Sequence, residues 1–262
     1  MKIRIFAIVS LLGVSAMANC QNAPDLNKTD EKGMKQGHWI KKYPNGIIQY
    51  EGTFSDNHPV GEFKRYNEDK TLKSVLLYSP DGKEADATIY HPNGFVASQG
   101  KYINQLKEGK WKFYSSYLKD WLICEEVYTK NLKNGPSVKY YPDSKIAEKI
   151  NYVNDRKDGE WLQYHENGKQ LLKANYVRGL LNGKYEVWSD NGKTQITGAY
   201  KNNIRDGNWK IFKKDGTIRY EMNYVSGVAD NHQMEIDASH LIDSLEMNKG
   251  KVADPEKSGG FR

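Results

Sequence analysis

The residues that could do chemistry in this chain are few and poorly spaced for it. Six histidines (His38, His58, His91, His165, His232 and His240) stand singly, none at ligand spacing from another. Glu125 and Glu126 form a carboxylate pair, but adjacent strand residues face opposite sides and cannot share a substrate. The two cysteines, Cys20 and Cys124, are too few for a metal site or for the disulfide framework of a secreted domain. There is no Gly-x-Ser-x-Gly elbow, no phosphate-cradling Gly-Lys-Ser/Thr loop and no His-Glu-x-x-His. The expectation is a non-enzymatic protein with no cofactor and no metal.

One charged set is regularly spaced. Lys35, Lys107, Lys133, Lys157 and Arg205 each stand two residues before a glycine and are expected in turns along one rim. Such a row either keeps a sheet edge soluble or forms a cationic ladder for anionic lipid, polysaccharide or an acidic protein.

Those glycines are the main clue to the elements that position everything else. Gly37, Gly61, Gly109, Gly135, Gly159, Gly183 and Gly207 share a 24-residue phase, with Ala85 at the missing beat and one interval of 26. Two residues later come Trp39, Phe63, Trp111, Trp161, Tyr185 and Trp209, with Ala87 as an exception. Seven residues before the next beat come Phe54, Tyr78, Tyr102, Tyr128, Tyr152, Tyr200 and Tyr224. A fixed period with fixed contents defines a repeat array, each unit burying its apolar face on its neighbours. Trp39, Trp111, Trp161 and Trp209, with Tyr102, Tyr128, Tyr152, Tyr200 and Tyr224, are therefore expected to be structural.

Within a unit, runs rich in aromatic and β-branched residues flank Asn-Gly or Asp-Gly, as at Asn45-Gly46, Asn167-Gly168 and Asn191-Gly192, which predicts type I′ hairpins. A second turn is expected just before each beat, at Asn134-Gly135, Asp158-Gly159, Asn182-Gly183 and Asp206-Gly207. Two turns per unit leave no room for a crossover helix. The fold class is all-β: an elongated antiparallel β-meander of about eight 24-residue hairpin repeats, with a short C-terminal helix. Alternation in Ile48-Gln-Tyr50-Glu-Gly52-Thr-Phe54 gives one buried and one wet face, and places Cys124 on the buried one as a small hydrophobe. Trp161 and Tyr164, three apart, point to opposite faces unless a bulge intervenes.

The array spans residues 37–230. The fourth unit carries two extra residues near Tyr117 and Trp121, which together with Lys107, Lys133, Lys157 and Arg205 form the candidate interaction surface. Residues 231–248 show a helical apolar stripe (Met234, Ala238, Leu241, Ile242, Leu245), capped at Asp230 or Asp237 and expected to cover the last strand; a partner-docking helix is the alternative. Residues 249–262 form a mobile tail and residues 19–36 a polar tether. Residues 1–18 have a basic start (Lys2, Arg4) and an apolar run from Ile5 to Ala18, the pattern of a signal peptide. Cleavage after Ala18 leaves Asn19, or, in a lipoprotein leader of 1–19, Cys20 becomes the lipidated first residue.

Composition agrees. The 262 residues are only 38% hydrophobic, with 23 Gly and 18 Tyr, as suits a thin array without a deep core. The net charge of +6 is not gathered into blocks, which argues against nucleic acid as the main ligand.

The unit Gly159-Glu-Trp161-Leu-Gln-Tyr164-His-Glu-Asn167-Gly168 and the junction Tyr200-Lys-Asn-Asn-Ile-Arg-Asp-Gly207-Asn-Trp209 resemble the variant MORN repeats of bacteria, a group often labelled YwqK-family antitoxins. The resemblance covers about 195 residues. It implies a hairpin array associated with membrane attachment and protein scaffolding, and through the label an antitoxin. With the leader, the expected function is an exported interaction scaffold or binding module in the cell envelope (periplasm or outer membrane), with protein as partner; the alternative is an antitoxin-like neutraliser of a toxic protein.

Overall fold

The computed structural model describes residues 26–247. The leader, Cys20 and the tail from residue 249 lie outside the described residues. Nineteen strands run from Lys28–Thr29 to Val228–Ala229, followed by one helix, α1 (His232–Met247). Sixteen of them are six to nine residues long, the two per unit that eight hairpins require; three two-residue strands complete the set. Each strand pairs antiparallel with its neighbour in the chain, so the array is one continuous meander. At about 4.8 Å per strand, sixteen strands give a sheet on the order of 75 Å along its contour.

The two turn classes are placed differently from the sequence expectation. At the Asn-Gly sites only the glycine has positive φ: Gly46 lies at 82° and its N–H donates to Tyr43 O at 2.9 Å. The register slips at the adjoining Lys41/Lys42, so the unit closes through a turn ending in a left-handed glycine and a bulge, not a two-residue type I′ turn. Two-residue turns with positive φ at both positions do occur, but earlier than expected, at Asp56-Asn57, Asn104-Gln105, Lys130-Asn131, Asn154-Asp155 and Asn202-Asn203. The beat glycines that were expected in turns lie inside strands. Gly109 (φ 67°) belongs to a wide bulge in which Gly100 faces Gly109–Trp111 between the pairs Lys101↔Glu108 and Gln99↔Lys112. Ala85, without that freedom, sits in unbroken register with Tyr78 and Tyr102.

Each two-residue turn is clipped to the unit before it. Asn131 Oδ1 accepts from Lys107 N at 2.6 Å while Asn131 N donates to Lys107 O; Asp155 and Lys133 repeat the arrangement. These bonds occupy main-chain groups that the bulge takes out of the ladder. The other edge has its own ladder. His91 and His165, unexplained by sequence, place Nε2 at 3.1 and 2.9 Å from Tyr114 O and Trp188 O, and the hydroxyls of Tyr43 and Tyr141 donate to Tyr66 O and Tyr164 O.

The inner face packs by seating a ring on the adjacent strand. A Cβ on Gly198 would lie 2.2 Å from the Trp209 ring, and one on Gly100 would lie 2.3 Å from Trp111. Trp209 is fully buried, its Nε1 donating to Ala199 O, with Tyr185 stacked at 5.8 Å and Tyr200 edge-on at 5.1 Å. Cys124 is fully buried on the same face. Tyr66, five residues after Gly61, points outward: its hydroxyl donates to Glu51, and burial together with that carboxylate pushes it up to about 12; Tyr140 likewise bonds Glu125 on the outer face. Trp161 and Tyr164 therefore face opposite sides.

Both ends of the array are covered. Part of the expected tether is ordered: Lys28–Thr29 pairs with Lys35 and Gln36, and Trp39 Nε1 donates to Lys28 O. Helix α1 is capped by Asn231, whose Oδ1 accepts from Met234 N; Asp230, an expected cap, instead binds Asn223 N. Ala238 and Ile242 are buried in the cluster of Trp209, Met222 and Tyr224, whereas Met234 stays 37% exposed.

Two stability predictions follow from this packing. Gly198→Ala should cost about 1–3 kcal/mol by overpacking against Trp209, read by urea denaturation; unchanged stability would mean that the seat is not tight. Ile242→Ala should cost about 2–5 kcal/mol if the helix closes the last repeat, and an unaltered melting curve would rule out a capping role.

Candidate interaction surfaces

The cationic row lies in strands, not turns, and on the ring-bearing face. Lys107 Nζ sits 5.2 Å from the Trp111 ring and 4.7 Å from Tyr128; Lys157 is 5.3 Å from Trp161 and 4.9 Å from Tyr176. Lys133 lies 5.6 Å from Tyr152, and the Arg205 guanidinium lies 5.5 Å from Trp209 while bonding Tyr224 OH and Ser239 of α1. All four are partly buried, with their charge against the π faces of the next rings. Burial pushes the Lys157 ammonium below its ordinary value.

Midway along the array the inner face turns polar. Glu126 is 3% exposed at a seat that is glycine in three other units, and opposite it the small Ser137 replaces the ring. Lys133 bonds Glu126 at 2.8 Å and Tyr128 OH donates to the same carboxylate. One unit on, Glu148 accepts from Trp161 Nε1 at 3.1 Å, from Gln163 Nε2 at 2.8 Å and from Lys139 at 3.1 Å. This belt separates an apolar cluster running from Ala87 to Ala147 from one running from Ile150 to Ile242. Burial works to raise the Glu148 carboxyl, but Lys139 and the two donors outweigh it, holding it below its ordinary 4.5. Glu125, as expected, is on the other face, with Lys110 and Tyr140.

The two extra residues of the fourth unit form a tight loop in which Ser115 Oγ accepts from the main chain of Tyr117 and Leu118. Tyr117 is 88% exposed; Trp121 turns back onto the Ala87–Ala147 cluster, so the two do not meet. The sequence reasoning missed a second exposed surface. Leu132, Val153, Val177, Leu180, Ile204, Val225 and Val228 are all at least 40% exposed, and all flank the two-residue turns at one edge of the sheet. The signal was readable as an aliphatic residue on one or both sides of the turn pair in each unit from Leu132 to Val228. Among the described residues no group of His, Cys, Asp and Glu could hold a metal, and no helix is long and apolar enough to cross a membrane.

Five segments, 35–56, 133–154, 157–178, 181–202 and 205–226, match the family described as MORN repeat variant. The chain is a variant MORN-repeat protein. No curated protein sequence matches it. Among solved structures it is similar to a chain in the crystal structure of TcdB2-TccC3, with 13% identity and a TM-score of 0.21. A second similarity is to a mutant Photorhabdus luminescens Tc holotoxin pore, with 11% identity and a TM-score of 0.18. Both alignments cover 77% of this chain and only 12% of the other, and scores this low establish no common fold.

The Glu148 carboxylate makes stability depend on pH. Because its folded pKa is depressed, it stabilises the fold above its ordinary 4.5, and that contribution is lost as pH falls through the folded value. Glu148→Gln should be less stable at pH 7 and should lose less stability than wild type between about pH 5 and 3. Parallel pH profiles for the two proteins would remove Glu148 from the acid response.

Proposed function

We propose that the protein is an exported, non-enzymatic binding module of the cell envelope that holds a protein partner along its two-residue-turn edge. The observation that carries this reading is the exposed aliphatic row from Leu132 to Val228, repeated unit by unit and interleaved with polar turn residues. Exposed aliphatic side chains recurring along one edge and flanked by polar groups offer a surface for protein contact. The leader pattern of residues 1–18 supports export, with Cys20 as the attachment point in a lipid-anchored form. The half-buried Lys107, Lys133, Lys157 and Arg205 are committed to rings within the fold, which favours the aliphatic edge over a cationic ladder as the contact surface.

The test is photo-crosslinking in cells with p-benzoylphenylalanine placed at Val177, Val225 or, on the opposite edge, Lys214. Protein adducts in the envelope fraction from the first two positions and not from Lys214 are expected. Adducts equal at all three, or none at Val177 and Val225, would remove the edge as the docking surface. Recovery of the chain solely from the cytosol with its leader uncleaved would remove export.

A further inference from the structure

The third unit lacks the ring that its neighbours carry, and three residues equivalent to those around the next unit's ring line a cavity. In the fourth unit Trp111 rests on Gly100, meets Tyr102 edge-on at 4.9 Å and lies under Lys107 at 5.2 Å. The corresponding residues one unit earlier are Leu76, Tyr78 and Lys83, and the position of the indole is taken by Ala87. Leu76, Tyr78 and Lys83 all line a cavity of about 520 Å³, walled also by Phe63 and Tyr102 and reached by Arg65. That is ample for a small molecule.

Its electrostatics have one sign. Arg65, Lys73 and Lys83 line the cavity and no carboxylate does. Lys83 has an ion partner outside the lining, Asp81, at a long 3.9 Å. Arg65 lies 5.8 Å from the Phe63 ring and has no carboxylate partner among the described residues. Burial raises the Tyr78 and Tyr102 hydroxyls above their ordinary 10, so both remain proton donors at neutral pH. Aromatic walls favour a flat ring, and the cations with hydroxyl donors favour an acidic substituent on it.

We infer that this cavity is a binding site for a small aromatic acid, a planar ring bearing a carboxylate or sulfonate, which enters the slot occupied by Trp111 in the next unit. The site lies on the ring-bearing face and is independent of the aliphatic edge proposed for protein docking.

The probe is 8-anilinonaphthalene-1-sulfonate, followed by fluorescence on the full chain, with uncharged N-phenyl-1-naphthylamine as its neutral counterpart. Saturable binding of the sulfonate is expected, tighter than that of the neutral analogue. The double variant Leu76→Gly/Ala87→Trp, which recreates the glycine seat and ring of the next unit, should weaken it at least tenfold. Arg65 is exposed, and methionine keeps an unbranched stem of similar reach, so Arg65→Met should weaken the sulfonate severalfold and leave the neutral compound unchanged. Sulfonate binding unaltered by Arg65→Met, or by a double variant with wild-type circular dichroism, would overturn the site. So would equal affinity for the charged and neutral probes. Crosslinking from Val177 and Val225 reports the protein-docking edge separately.

Discussion

The structure depends on a single-layered sheet burying its own inner face. Among the described residues no second sheet packs on it, so rings such as Trp111 and Trp209 can be fully buried only by lying flat along the sheet over the neighbouring strand. Flat rings need space beneath them, and a glycine seat supplies it where the contact is closest. The Lys or Arg four residues before the ring then closes it from above, placing its stem on apolar surface and its charge on the π face. Ring, glycine seat and cation come together as one device at Trp111 with Gly100 and Lys107, and at Trp209 with Gly198 and Arg205, and the bulge brings the three into contact.

Much of this was legible in the residues. The repeat, the number of long strands and the inward face follow from the 24-residue phase and the alternation within each second strand, and the covering of the last strand from the helical apolar stripe after residue 231. The turns were misplaced for a definite reason: glycine and asparagine favour positive φ, and bulges and two-residue turns both need it. A preference for that region therefore cannot say which device is present; only the inter-strand register can. The cations were put in solvent for a related reason, since a turn before the beat would have carried them outward. Once Gly109 is inside a strand, Lys107 lies over Trp111.

One compensation was readable but is evident only once the pairing is known. Gly52, Gly100 and Gly198 lie beneath Phe63, Trp111 and Trp209. Where the ring shrinks to Ala87 the opposing residue is Leu76, and where it shrinks to Ser137 the opposing residue is Glu126. Small and large exchange places across the strand pair, which compensates for the lost ring enough to keep the strands paired, fully at Glu126 and only in part at Leu76. This explains why the stretch 57–132, which the family profile does not match, keeps the same strands and pairing as the units that it does.

The exchange has a consequence for how the array can vary. In a solenoid each unit contacts only its neighbours, so an altered ring and seat disturb one interface and leave the others intact. The Ser137–Glu126 swap brings a carboxylate inward; the fold tolerates it because Lys133 and Tyr128 satisfy that charge locally. The Leu76–Ala87 swap brings in nothing polar and leaves space instead, with Lys83 above it and no ring beneath. The Tyr117 loop, another departure from the period, lies one unit further on, anchored by Ser115 and by Trp121 on the inner cluster. Uninterrupted repeats from 133 to 226 carry the largest apolar cluster, while the departures between 57 and 132 carry the cavity and the protruding tyrosine. Division of labour between stable and variable units is therefore built into the ring-and-seat rule, since a unit can give up its ring without costing its neighbours theirs.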